Sequence, residues 1–122
     1  MNYTRIYTDE AGETHFEDLP IDLIPRDFAP PAGLINVSDP IPAAHLVFFM
    51  VPPGWVGNWH PAPRRQYYAH LAGTLDVSVS DGSVRRVQPG DIALLEDVTG
   101  KGHETRTASD TEAQGIFIQL PD

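Results

Sequence analysis

Glycine and proline punctuate this chain from end to end. There are 10 Gly and 12 Pro in 122 residues. They are scattered singly and in pairs, not gathered into a linker. Such spacing leaves little room for helices, because proline breaks the hydrogen-bond ladder and glycine weakens it. The best helical stretch, Asp18 to Arg26, is interrupted by Pro20 and Pro25. No window keeps helical periodicity beyond about three turns.

Short strands between turns remain, the pattern of an all-β sandwich or barrel. The sequence predicts strands over 3–7, 14–17, 44–51, 66–72, 74–80, 84–87, 92–95 and 112–120, with a further short segment over 19–24. An extended loop is expected over 28–42, where Pro30, Pro31 and Pro40 fall. Asp81-Gly82 and Gln88-Pro89-Gly90-Asp91 read as tight turns. At 13.4 kDa the chain makes one domain. Residues 1–43 are expected to pack as strands and loop on a barrel formed by 44–122. The run Ala44–Val51 is apolar on both faces, so one face can fill a barrel while the other needs cover. A two-fold homodimer burying that second face is the expectation.

Charge narrows the partners. Seventeen acidic against eight basic residues give a formal net charge of −9. Nucleic acid and anionic membrane surfaces are excluded on this reading. The chain has no cysteine, which removes thiolate metal sites and thiol nucleophiles. No apolar run reaches the ~20 residues of a membrane helix, and the N-terminus carries no apolar leader, so a cytoplasmic location is expected.

The second half carries a telling spacing. Gly54 is followed by His60, Ala62, Gln66 and Gly73, and Pro89-Gly90-Asp91 leads to His103. This arrangement resembles the cupin superfamily, small β-barrels of the double-stranded β-helix or jelly-roll type. There the first motif runs Gly, five residues, His-x-His, three or four residues, Glu, six residues, Gly, and a second motif adds one His. The resemblance covers Gly54 to about Thr107. It implies a single-domain cupin-like barrel with a divalent metal bound in it. Carried over, His60 and His103 take ligand positions and Gln66 stands where the acid belongs, while Ala62 replaces the second His. An amide is neutral, so the affinity for Zn, Ni, Mn or Fe should be lower than with a carboxylate. Either the site keeps a metal, or metal has been abandoned and the pocket takes an organic ligand directly.

Strand parity adds candidates. If Gln66 points inward, so do Tyr68 and His70. His70 is a general base, a substitute ligand or a core residue; Tyr68 is an oxyanion donor or core filling. Arg64, beside His60 and Gln66, is a candidate for carboxylate capture, and so is Arg106; each has a surface ion pair as its alternative. Trp55 and Trp59 either wall the pocket mouth or anchor their loop. The functional expectation is a small-molecule enzyme. It would bind a polar carboxylate or carbonyl substrate and move protons in isomerisation, elimination or cyclisation. The alternatives are a non-catalytic binding module and an iron-dependent dioxygenase.

Overall fold

The computed structural model describes residues 1–122. It contains eleven strands and no α-helix: β1 (Asn2–Thr8), β2 (Thr14–Pro20), β3 (Ile24–Arg26), β4 (Ile35–Val37), β5 (His45–Val51), β6 (Gln66–Ala72), β7 (Leu75–Val79), β8 (Val84–Val87), β9 (Ile92–Leu95), β10 (His103–Thr107) and β11 (Ala113–Gln119). No helix is long and apolar enough to cross a membrane.

Six strands form one sheet in the order β2-β1-β9-β6-β11-β5, and three form another in the order β10-β7-β8. All pairings are antiparallel except β1 with β9. The inner faces of the two sheets meet in the core. Ile6 and Leu95 from the larger sheet pack with Val77 and Val79 from the smaller, and Val51, Tyr68 and Ala113 pack with Leu75. Two features depart from the sequence expectation. The N-terminal hairpin does not merely lie on the barrel: β1 sits inside the main sheet beside β9. Only β3 and β4 stand apart, as a two-stranded ribbon. The extended loop expected over 28–42 therefore contains a strand, and 19–24 divides between the end of β2 and the start of β3.

Strand β10 was not among the expected strands. Its inward residues, His103 and Thr105, are polar, so HETRT lacks the apolar alternation that marks a half-buried strand. Those polar side chains face inward because they line a cavity.

Candidate functional site

Between the two sheets lies a cavity of about 450 Å³, within the usual range for small-molecule sites. Its wall is mainly apolar: Phe49, Tyr68 and Phe117 form an aromatic cluster with centroids 4.9–5.7 Å apart. Trp55 joins this wall. Polar groups gather at His60 and His103, and around Arg85, Asp18 and Asp91.

The two histidines come together although they stand 43 positions apart in the chain. A backbone bridge pairs them, His60 N to His103 O at 3.1 Å and His103 N to His60 O at 3.0 Å, and their rings lie 5.0 Å apart. Gly102 permits this approach. It has φ of +72°, and a Cβ there would meet the His60 carbonyl oxygen at 2.1 Å.

Both rings are oriented from behind. His60 Nδ1–H donates to the Asn58 carbonyl at 2.6 Å, and His103 Nδ1–H donates to Asp97 Oδ2 at 2.6 Å. These tautomers follow from the acceptors, a carbonyl and a carboxylate. Each Nε2 is left with a free lone pair, and both residues line the cavity. Asp97 is fully buried, and its Oδ1 has no partner. A buried carboxylate bound to imidazole fixes the orientation and tautomer of the ring.

The other candidates separate into those on the cavity and those off it. Tyr68 is on the wall, but its hydroxyl donates to His70 Nδ1 at 2.8 Å, and burial pushes its pKa up. That hydroxyl lies over Gly115, where a Cβ would approach it to 2.2 Å. His70 is 1% exposed and spends its other nitrogen on the Gly73 carbonyl at 2.7 Å. With both nitrogens engaged and no place on the cavity wall, His70 braces the barrel and has no free atom for base chemistry. Gln66 is buried on the same face of β6, yet its Oε1 accepts from Gln119 Nε2 at 3.1 Å and it does not line the cavity.

The arginine expectations need correction. Arg64 turns to the Leu120 carbonyl, away from the cavity. The Pro61–Arg65 turn, not strand parity, sets its direction. Arg106 is exposed and pairs with Glu104 at 2.7 Å. Trp59 is half-exposed and lies outside the cavity, near Lys101. Two residues escaped the sequence reading. Asp97 carries no local signal, since only the fold brings it behind His103. Arg85 could have been found, because it shares the inward parity of Val87 on β8.

The donor set bears on metal. Among His, Cys, Asp and Glu, no group of three stands placed to hold an ion. Two imidazoles face the cavity, Gln66 is committed elsewhere and Ala62 offers nothing. Catalytic divalent sites ordinarily use three protein ligands. The residues present do not fit the complete cupin metal set.

No protein-family model and no curated protein matches the sequence. Solved structures do. The chain is similar to the cupin domain of Cnp3 from Schizosaccharomyces pombe, over 100% of this chain and 83% of that one, at 10% identity and a TM-score of 0.54. A cupin domain from Bordetella pertussis aligns over 85% of this chain and 98% of its own, at 17% identity and a TM-score of 0.53. A cupin-like protein from Thermotoga maritima aligns over 62% of this chain, at 21% identity and a TM-score of 0.52. The alignment spans 55% of that protein's length, little more than half. At these identities the likeness is one of fold.

Proposed function

We infer from the all-β cupin fold of this chain that it binds a small organic molecule in the barrel and exchanges a proton with it through His103 and His60. One observation carries this reading: two imidazoles tied at Nδ1, with no partner at Nε2, stand together on the wall of a largely apolar cavity. Imidazole is the side chain suited to take up and return protons near neutral pH. His103 Nε2 removes a proton from carbon beside a carbonyl, and the buried Asp97 carboxylate stabilises the imidazolium that results. His60, at the exposed end of the pair, takes a proton at Nε2 from solvent and delivers it to the other end of the enolate or to the leaving group, and His103 then returns its proton to solvent. The net change is an isomerisation, or an elimination where a leaving group stands at the β-carbon. No step is routed through a metal, since the donor set does not fit one.

The apolar wall favours a ligand with an aromatic or alicyclic body and one carbonyl head. The test is solvent deuterium uptake beside the carbonyl of 4-phenylbutan-2-one and related arylalkyl ketones, followed by NMR. The protein should accelerate uptake, and His103→Gln should reduce the acceleration by ~10²-fold or more. Buffer-rate exchange with the ketone demonstrably bound overturns the catalytic reading. It would leave the binding module, which the commitment of Tyr68 and His70 to each other also favours.

A further inference from the structure

Two of the eight basic side chains, Arg85 and Arg86, reach the cavity wall. They differ in kind. Arg86 is exposed and forked onto Asp76, at 2.9 and 3.1 Å. Arg85 lies on the inward face of β8, opposite the core residue Val77. Strand β8 pairs only with β7 and so forms a free edge of the smaller sheet. From that edge Arg85 crosses to the larger sheet, where Nη1 donates to Thr4 Oγ1 at 3.3 Å and to Asp18 Oδ1. Its guanidinium lies 5.1 Å from the Phe16 ring centroid. The opposite seam is closed by backbone bridges at His60–His103 and Val56–Arg106. The β8–β2 seam is spanned by this side chain.

We propose that Arg85 selects the ligand: its Nε and Nη2 edge takes a carboxylate of an apolar-bodied acid whose far end reaches His60 and His103. This rests on the cavity being the binding site. Both bonds Arg85 makes within the chain come from Nη1, so Nε and Nη2 are free to form the two-pronged pair that guanidinium makes with carboxylate. Phe16 fixes the plane of the fork. The bond to Asp18 is weak competition, because the Asp18 side chain is 60% exposed and such pairs contribute little. Asp18 and Asp91 also line the cavity, and the whole chain is acidic. An anion is therefore captured by the fork itself and not by a general positive field.

Three probes of equal shape test this: 4-phenylbutanoate, 4-phenylbutan-1-ol and 4-phenylbutylamine, each titrated against the Trp55 indole resonance. The acid should bind at least ~10-fold more tightly than the alcohol, as a charge-assisted pair requires. The amine should bind weakest. Arg85→Gln should abolish the preference and leave alcohol binding unchanged, which also shows that the variant is folded. Arg85→Lys, which keeps the charge but loses the fork, should retain only part of the preference. Arg86→Gln should keep all of it. Equal affinities for acid and alcohol, or equal losses from Arg85→Gln and Arg86→Gln, would overturn the assignment and leave the cavity reading standing. If none of the three moves the Trp55 resonance, the cavity reading fails and this inference fails with it.

Discussion

His15 stands between two carboxylates, with Nε2 at 2.7 Å from Asp9 Oδ2 and Nδ1 at 2.9 Å from Asp81 Oδ2. The three side chains tie the β1–β2 turn to the β7–β8 turn. Asp9 first and Asp81 second raise the His15 pKa above its ordinary 6.5, and both carboxylates are lowered. The sign follows from linkage. A raised histidine contributes stability that is complete below pH 6.5 and lost as pH rises through its folded value. The lowered carboxylates contribute stability above their unfolded value near 3.8, lost as pH falls through their folded values. The clasp is therefore strongest in the weakly acidic range between those limits. An NMR titration should place the His15 midpoint above 6.5, and Asp9→Asn should bring it down. A midpoint at or below 6.5 in the parent protein would show that the clasp does not form in solution.

At the scale of elements, Glu96 does for three strands what His15 does for two turns. It follows β9 and accepts from Arg5 on β1 and from Arg65 just before β6, the latter at 2.7 Å. Burial pushes Glu96 upward, but the two guanidiniums outweigh it and hold the carboxyl below its usual range. Glu96→Gln should cost about 1–2 kcal/mol, since the bonds are charge-assisted but the arginines are partly solvated. Urea unfolding near pH 7 reads this, and the difference from the parent should shrink below pH 4. A loss under ~0.3 kcal/mol would show the three-strand bracket to be idle. Strands built on apolar alternation, such as β6 and β7, were legible in the sequence to within a residue or so. β10 was not, because its inward positions are occupied by His103 and Thr105. The pairing of His60 with His103 was what the resemblance to the cupin motifs implied. The destinations of Gln66 and Arg64 were not legible, because parity gives the face of a strand and not the partner waiting there. Gln119 and the Leu120 carbonyl come from the far end of the chain.

At the scale of the molecule, the larger sheet ends in a strand that has nothing beyond it. β5 pairs with β11 on one side and is open on the other. Phe49 and Val51 turn into the barrel, whereas Leu46, Phe48 and Met50 point outward and are 59%, 78% and 56% exposed. Their register partners on β11 include Ile116 and Ile118, so the apolar face runs across two strands. An open, apolar edge of seven residues is an aggregation hazard unless something covers it. We propose that a second copy of the chain covers it, β5 meeting β5 antiparallel about a two-fold axis. That pairing is self-complementary and uses the same backbone edge in both copies. Charge opposes the union, since each copy carries −9. Screening shortens from ~10 Å at 0.1 M salt to ~3 Å at 1 M. Sedimentation velocity at micromolar concentration should therefore give twice the 13.4 kDa of one chain, with association tightening as salt rises. Phe48→Glu should return the protein to a monomer that keeps its fold and its cavity, because Phe48 faces away from both. A parent protein that sediments as a monomer at every salt concentration would refute the dimer and leave the apolar edge of β5 unexplained.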